Sequence, residues 1–420
     1  MMSVLPLSIQ AADIKVIHAG ELLTVPGKTV LKNQTITITD NKISNIQQGF
    51  IRAKEIDENA TFIDLKDSFV MPGLMDMHVH LQFEYGANNA SSKLKMSDEE
   101  MAMQSVSFAK KTLMAGFTTV RDLGGNPQPL YALREGINKE WIDGPRIIAA
   151  GRVSVTGGHL DVDGMRHDLI EKYSPDTLCD GASDCRKATR KAVKYGADVI
   201  KIASTGGVLS DTNTGTGQQM ADDEIKEIVD TAHALGRKVA SHAHAASGIN
   251  AALRAGVDSI EHGSYADEDS ITLFKYSGAY LVPTLLAGDT VVKMANTSEF
   301  MSEAVKSKAI RVGSDMLKNF ARAYQAGVKI AFGTDSGVSR HGTNAHEAVL
   351  MFNAGMAPMD ILKSATVNAA DLIDKTATLG TLEKGKFADI IAMDENPLQD
   401  ISQLEKVEFV MKNGTVFKNL

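Results

Sequence analysis

Eight short apolar segments that alternate with amphipathic stretches limit most strongly how this chain of 420 residues can fold. In chain order the segments are FVMPGLMDMHVH, TTVRDLG, RIIAAGRVSV, ADVIKIAS, KVASHAH, SIEHG, YLVPTL and VKIAFGTDS. One of the stretches between them, ADDEIKEIVDTAHALG, begins with acidic residues and ends at Gly236, which is typical of a helix. Apolar strands that alternate with helices are typical of a parallel sheet covered on both faces. Eight such units predict an α/β fold, a (β/α)8 TIM barrel over residues 71–374.

Both ends of the chain have the pattern of short strands joined by turns. Residues 13–70 contain KTVLKNQTITITDNKISNIQ, in which apolar and polar residues alternate. Residues 375–420 contain ADIIAMDENPLQD and VEFVMKNGTVFKN, and Asn413-Gly414 is a strong hairpin signal. Because neither end is long enough to be stable alone, we predict that 13–70 and 375–420 pair into one small β-sandwich domain.

Polar side chains lie repeatedly at the ends of the predicted barrel strands, which is where such barrels build their active sites. They are His78 and His80 on the first strand, Lys201 on the fourth, His242 and His244 on the fifth, His262 on the sixth and Asp335 on the eighth. Residues two apart on a strand share a face, so His78 and His80 should point into one space. Each position has an ordinary explanation, such as a helix cap at Asp335. Together they predict a metal site, since neutral imidazole is the commonest metal ligand.

The chain resembles the amidohydrolase superfamily of metal-dependent hydrolases over nearly its whole length. The resemblance rests on PGLMDMHVH, GFTTVRDLGG, GADVIKIASTGG, the spacing from His242 to His262, FGTDS, and SATVNAADLI followed by LGTLEKGKFADIIAMDENPLQD. Within that superfamily the chain is most similar to the branch of Xaa-Pro dipeptidases (prolidases), related carboxypeptidases and imidazolonepropionase-like proteins. The resemblance implies a binuclear centre with His78, His80 and Asp335 on one metal, His242 and His262 on the other, and Lys201 as the bridge.

The implied chemistry agrees with these residue types. An ammonium repels cations, so Lys201 would bridge two metals only after CO2 has carboxylated its amine to a carbamate. Histidine and carboxylate ligands suit Zn²⁺ best among the common divalent metals. A metal-bridging hydroxide would attack the carbonyl, and Asp335 would take its proton and pass it to the leaving nitrogen.

The resemblance implies that the enzyme cleaves the peptide bond of Xaa-Pro or related dipeptides, or of N-acyl amino acids. Two alternatives stay open: hydrolysis of a cyclic amide, as in imidazolonepropionase-like relatives, and a non-catalytic barrel that serves as a scaffold. Candidate contacts to a free substrate carboxylate are His244, His159 in VTGGHLD and Arg340. His244 stands where relatives often carry a tyrosine, and a surface loop would equally account for His159.

Charge and cysteine usage limit the partners and the compartment. The formal net charge of −8 argues against nucleic acid or an anionic membrane as partner, and no apolar stretch reaches the roughly 20 residues of a membrane span. We expect a homo-oligomer that acts on a small-molecule or dipeptide substrate. The start of the chain, MMSVLPLSIQAAD, resembles the end of a signal peptide, which favours a periplasmic or secreted protein over the cytoplasmic alternative. Cys179 and Cys185 could form a disulfide or remain free.

Overall fold

The computed structural model describes residues 12–86, 95–162, 165–210, 215–297, 299 and 301–420, so the signal-like residues 1–11 lie outside the described part. The strands are β1 (Ile14–Leu22), β2 (Leu31–Thr39), β3 (Lys42–Gln48), β4 (Thr61–Pro72), β5 (Leu74–Val79), β6 (Phe117–Asp122), β7 (Arg146–Arg152), β8 (Val199–Ala203), β9 (Lys238–Ala243), β10 (Ser259–His262), β11 (Tyr280–Val282), β12 (Lys329–Ile330), β13 (Ile390–Met393), β14 (Phe409–Lys412) and β15 (Thr415–Asn419).

The described helices lie mainly between the strands of the central region. They are α1 (Ala53–Ile56), α2 (Asp98–Met114), α3 (Pro127–Asn138), α4 (His167–Tyr173), α5 (Ala182–Tyr195), α6 (Asp222–Ala234), α7 (Ala246–Ala255), α8 (Glu268–Ser277), α9 (Leu285–Thr297), α10 (Glu303–Gln325), α11 (His346–Asn353), α12 (Pro358–Ser364) and α13 (Val367–Leu372), with a 3₁₀ helix at Ile401–Lys406. The predicted end of α6 is confirmed, because Gly236 follows the helix with a φ of 67°. Within the described ranges no helix is long and apolar enough to cross a membrane.

The two chain ends share one seven-stranded sheet, here called the terminal sheet, in the order β15-β14-β13-β4-β1-β2-β3. Strand β13 pairs antiparallel with β4, with Ile391 opposite Met71, and this pairing joins the end of the chain to its beginning. Alternate residues of β1, β2 and β13 enter a separate apolar core that includes Ile17, Ile36 and Ile390. The prediction that the two ends pair is therefore confirmed, whereas the domain limits 13–70 with 375–420 and 71–374 stay predictions.

Strands β5 to β12 form an eight-stranded parallel sheet in chain order, here called the curled sheet. Its first and last strands meet: the backbone N–H of Met77 donates to the carbonyl of Phe332 at 2.8 Å, and that of His80 donates to Ser336 at 2.7 Å. Val79 and Ser336 also form a parallel bridge. Eight parallel strands that alternate with helices confirm the predicted α/β architecture, and the contacts between the edge strands are consistent with a closed (β/α)8 barrel.

The first predicted barrel strand was wrong in its extent, because FVMPGLMDMHVH is divided between the two sheets. Its first four residues end β4 in the terminal sheet, and β5 of the curled sheet begins after Gly73. A Cβ at residue 73 would overlap the side chain of Thr118, so the close approach of the two sheets requires a glycine there. Because the chain changes sheets at Gly73, His78 lies on a strand of the curled sheet with its side chain in the interior.

The two cysteines are paired in the structure. Cys179 and Cys185 form a disulfide with their Cα atoms 4.8 Å apart, and both side chains are buried. The backbone N–H of Cys179 donates to the carbonyl of Ser154 at 2.8 Å. The disulfide therefore ties the start of α5 to the segment that follows β7.

Candidate metal centre

A first cluster of possible metal ligands lies where the two edge strands of the curled sheet meet. It consists of His78 on β5, His80 directly after β5, and Asp335 from the segment after β12. The Nε2 atoms of His80 and His78 lie 3.2 Å and 3.5 Å from Oδ1 of Asp335. The backbone N–H of Asp335 donates to the carbonyl of His78 at 2.7 Å, and Asp335 has a φ of 57°. The predicted facing of the HxH pair thus brings both imidazoles to one carboxylate.

The other ring nitrogen of His78 and of His80, Nδ1, lies within hydrogen-bond distance of an acceptor oxygen. Nδ1 of His78 lies 2.9 Å from Oε2 of Glu261, and Nδ1 of His80 lies 2.7 Å from the carbonyl oxygen of Gly124. In the neutral rings these acceptors favour a proton on Nδ1, which leaves the electron pair of Nε2 on the side of Asp335. A histidine that ligates a metal through Nε2 needs this tautomer.

A second cluster lies at the ends of the neighbouring strands β9 and β10, with His244 directly after β9. It consists of His242, His244 and His262, and the possible ligand atoms of the three rings lie within 4.8 Å of one another. Nδ1 of His262 lies 2.7 Å from Oγ1 of Thr284, and Nδ1 of His244 lies 2.7 Å from Oγ of Ser264. The ring centroids of His78 and His262 are 5.2 Å apart, so the two clusters adjoin. His244, which we predicted as a substrate contact, lies among the predicted ligands of the second metal.

Lys201 on β8 connects the two clusters electrostatically, since its charge lowers the pKa of both His78 and His262. Its side chain is 2% exposed, and its Nζ has no hydrogen-bond partner among the residues that the structure describes. Burial lowers the pKa of this amine to about 8. A buried amine without a partner costs free energy unless it gains one. Conversion to a carbamate bound to metal would supply partners, so Lys201 fits the predicted bridge.

The protonation states also fit a site for cations. Burial lowers the pKa of His78 to about 4 and keeps the pKa values of His242 and His262 well below their usual range. Burial alone would raise the pKa of Asp335, but the neighbouring His78 and the hydrogen bond with His80 hold it below its ordinary value. Near neutral pH His78, His242 and His262 therefore present uncharged imidazoles and Asp335 a carboxylate, the forms that bind divalent metals. Burial opposes a charge on His80, but its hydrogen bond with Asp335 raises its pKa.

Our sequence analysis missed a buried ion pair beneath the first cluster. Nη2 of Arg121 donates to Oε1 of Glu261 at 2.9 Å, and both side chains are at most 1% exposed. Although burial opposes ionisation, Arg121 and His78 lower the pKa of Glu261 to about 2. The carboxylate thus carries a charge that favours the Nδ1–H of His78. A signal for both residues was present, because each is a charged residue within a predicted barrel strand, TTVRDLG and SIEHG.

A second buried carboxylate, Asp76, joins the strand that carries His78 to the segment that carries Asp335. It accepts from Oγ1 of Thr334 at 2.6 Å, from Nδ2 of Asn344 at 2.8 Å and from the backbone N–H of His78 at 3.1 Å. Asp76 therefore fixes both halves of the first cluster relative to each other. An aspartate two residues before the HxH pair was its signal in the sequence.

Two predicted substrate contacts have different surroundings. His159 lies beside the second cluster, with its ring centroid 4.2 Å from that of His242 and its Nδ1 2.6 Å from Oγ of Ser210. Arg340 is exposed, and among the described residues its side chain makes no hydrogen bond or ion pair with either cluster. The structure therefore brings His159 to the site but leaves Arg340 on the surface.

An eight-stranded parallel sheet that gathers five histidines, an aspartate and a buried lysine at one end defines a metal-dependent hydrolase of the (β/α)-barrel class. The chain belongs to the amidohydrolase family, whose sequence model matches residues 69–417.

Known proteins resemble the chain over almost its full length. A Xaa-Pro dipeptidase whose crystal structure has methionine bound in the active site is 41% identical, with a TM-score of 0.91 and coverage of 97% of this chain and 100% of the dipeptidase. A prolidase solved in complex with N-methylphosphonate-L-proline is 30% identical, with a TM-score of 0.88 and coverage of 97% and 100%. The ochratoxinase of Aspergillus niger is 30% identical over an alignment of 437 positions, which covers 98% of this chain and 88% of the ochratoxinase. The family and these relatives confirm the prediction of a hydrolase that acts on C–N bonds.

Proposed function

We propose that the protein is a dipeptidase that hydrolyses the peptide bond of Xaa-Pro or related dipeptides and N-acyl amino acids at a binuclear metal centre. The observation that carries the proposal is the placement of two adjoining ligand clusters beside a buried lysine that has no hydrogen-bond partner in the described part of the chain. The 41% identity with a Xaa-Pro dipeptidase supports the choice of substrate.

Each residue of the site has a defined task in this proposal. His78, His80 and Asp335 would hold one cation, and His242 and His262 the other, with carboxylated Lys201 shared between them. When bound, two divalent cations, which we propose are zinc, would polarise the scissile carbonyl and lower the pKa of a nearby water. Asp335 is the one carboxylate of the two clusters, so it would accept the proton of the attacking water and deliver it to the departing nitrogen.

The free carboxylate of the substrate would contact His159 and His244. Both imidazoles are anchored at Nδ1 by a serine hydroxyl, at 2.6 Å and 2.7 Å, so each can present Nε2 to a ligand. Burial lowers the pKa of His159 to about 4 and of His244 to about 3, so both would act as neutral hydrogen-bond donors. A donor pair that a carboxylate satisfies and a carboxamide does not would distinguish the end of a peptide from its middle.

We also propose a closed barrel with the terminal sheet as a sandwich beside it, a homo-oligomeric state, and a periplasmic or secreted location. The Cys179–Cys185 disulfide supports an oxidising compartment. The backbone hydrogen bonds from Met77 to Phe332 and from His80 to Ser336 support closure of the barrel.

The test is hydrolysis of matched substrates by protein reconstituted with zinc. We expect Xaa-Pro dipeptides and N-acyl amino acids to be cleaved and the same compounds with an amidated C-terminus to resist cleavage. His244→Asn should raise KM more for carboxylate substrates than for neutral amides. Equal cleavage of free and amidated compounds would remove the peptidase proposal and favour the cyclic-amide alternative. A purified chain that binds no transition metal would instead favour the scaffold.

A further inference from the structure

Helix α10 touches two separate loops of the candidate site, although it contributes no residue to either ligand cluster. The first loop, residues 204–210, follows β8 and begins with the motif STGG. The second, residues 263–266, follows β10. Each loop holds one of the two imidazoles that we assign to the substrate carboxylate.

The first loop surrounds His159. Oγ of Ser210 lies 2.6 Å from Nδ1 of His159, and the imidazole occupies the space that a Cβ at Gly207 would fill. From the other side, Nζ of Lys308 on α10 donates to the carbonyl of Ser210 at 2.6 Å and to that of Gly207 at 3.4 Å. Lys308 is 7% exposed, which is unusual for a lysine. This amine therefore fixes the two residues that together determine where His159 lies.

The second loop contacts His244 through a similar set of hydrogen bonds. Oγ of Ser264 lies 2.7 Å from Nδ1 of His244, and the backbone carbonyl of the same serine accepts from Nδ2 of Asn319 on α10 at 2.6 Å. Arg322, one turn further along the helix, donates to the carbonyl of Ala266. Asn319 therefore acts on Ser264 as Lys308 acts on Ser210.

The geometry of α10 explains how one helix reaches both loops. Lys308 and Asn319 are 11 residues apart, which is close to three full turns, so their side chains leave the same side of the helix about 16 Å apart. The helix itself is held against α9, since a Cβ at Gly313 would overlap the side chain of Val292. A rigid helix with two donors on one face is suited to fixing the distance between two loops.

We propose that α10 is a brace for the substrate side of the site, in which Lys308 and Asn319 are positioning residues for His159 and His244. The inference rests on the proposed function, because it gives the two imidazoles the task of binding the substrate carboxylate. Neither residue touches the ligand clusters through a described hydrogen bond, so loss of the brace should weaken substrate binding and spare the metal centre.

The test is a pair of double-mutant cycles on zinc-loaded protein. Lys308→Met keeps the length of the stem and removes the donor. We expect KM for an Xaa-Pro dipeptide to rise about tenfold or more, kcat to change less than about threefold, and zinc content to stay constant. In a His159→Asn background the same substitution should cause no further rise, because the residue through which Lys308 acts is already missing. Asn319→Leu should behave likewise with His244→Asn.

Lys306→Met is the matched control, since Lys306 lies on the same helix and pairs with Glu303 at 3.0 Å. It should leave KM unchanged. Equal effects of Lys308→Met in the wild-type and His159→Asn backgrounds, or a loss of zinc, would overturn the proposal.

A readout without substrate separates failure of the brace from failure of the proposed function. In protein labelled with ¹⁵N-histidine, Lys308→Met should shift the ring signals of His159 and not those of His244, and Asn319→Leu should do the reverse. If Lys308→Met does not fold, Asn319→Leu tests the same proposal at the second loop, and the reverse also holds. Unchanged imidazole signals in a folded variant would disprove the brace even if the enzyme proves to be a dipeptidase.

Discussion

At the scale of single residues, Lys201 decides whether the site can hold two cations. Its amine is buried without a described hydrogen-bond partner, whereas a carbamate would be an anion with two oxygen ligands. We predict that Lys201→Ala loses metal together with activity, and that small carboxylic acids restore part of both. Metal analysis of the purified variant checks this, with Lys194→Ala on the exposed side of α5 as control. Full metal occupancy in Lys201→Ala would show that the amine has another role.

Asp335 has two tasks in the proposal, as ligand and as proton acceptor, and a single substitution separates them. Asp335→Asn keeps the size and one oxygen but removes the basic group. We predict that kcat falls by at least the roughly 10²–10⁴-fold attributed to acid–base catalysis, while metal content falls less. Steady-state kinetics and metal analysis on the same preparation measure both effects. Near-normal turnover would mean that another group takes the proton.

The sequence allowed the ligands to be predicted better than the residues that orient them. His78 and His80 are two apart on a strand, so their shared face follows from strand geometry alone. The partner of His78, Glu261, lies 183 positions further along the chain, and only the curvature of the eight-stranded sheet brings them to 2.9 Å. Likewise the spacing from His242 to His244 predicted a shared face, but not that His244 would lie among the possible ligands of the second cluster.

At the scale of elements, the loop after β8 organises three histidines through its backbone and hydroxyl groups. The carbonyl of Gly206 lies 3.3 Å from Nε2 of His242, and Oγ1 of Thr205 accepts from the backbone N–H of His244 at 3.0 Å. The third, His159, packs on Gly207. This explains the motif STGG, which lacks the flanking residues of a serine-hydrolase nucleophile turn.

Gly207→Ala tests this role of the loop. The new methyl group would overlap the imidazole of His159, so we predict that the ring is displaced and KM rises about tenfold, with zinc content unchanged. Gly217→Ala is a matched control, because a Cβ there meets no atom within 4 Å. Kinetics of the two variants decide the matter, and equal KM values in both would argue against a substrate role for His159.

Prediction of strands from the sequence fails for short strands and where the chain passes from one sheet to the other. The apolar run from Phe69 to His80 predicts one strand, but Gly73 turns the chain from the terminal sheet into the curled sheet. Apolar character alone does not reveal such a turn, since the residues on both sides are buried. β12 is likewise limited to Lys329–Ile330, and the rest of VKIAFGTDS continues beside β5 outside regular strand pairing.

At the scale of the whole molecule, the terminal sheet and the curled sheet are joined by polar contacts as well as by the chain. Nη1 of Arg146 on β7 donates to Oδ2 of Asp389 at 2.8 Å, and Nζ of Lys412 on β14 donates to the carbonyl of Gly144 at 2.5 Å. The sequence predicted that the two chain ends pair, because neither can bury its own apolar face. It could not predict these contacts, which depend on how the two sheets are placed against each other.

Lys412 gives the last prediction, because its charge is buried where the two sheets meet. The side chain is 7% exposed, and burial lowers its pKa from 10.5 to about 8, with a further contribution from Arg146. Between pH 8 and 10.5 the unfolded chain therefore binds more protons at this position, so the free energy of unfolding rises with pH over that window. Below pH 8 both states are protonated, and the full cost of the buried charge, at most about 3 kcal/mol, is present.

Lys412→Met should therefore increase the free energy of unfolding relative to wild type at pH 7. The increase is reduced by the stabilisation that the lost hydrogen bond to Gly144 contributed. This gain in the free energy of unfolding should shrink as the pH rises from 8 toward 10.5. The folded wild type then loses the proton of its buried amine, so the wild type is no longer destabilised by a buried charge. Urea unfolding at pH 7 and pH 9.5 measures both values. Lys406→Met, at an exposed position, is the control for replacing a lysine that is not buried between the sheets. A constant difference for Lys412→Met would mean that the amine is not destabilised by its place between the sheets.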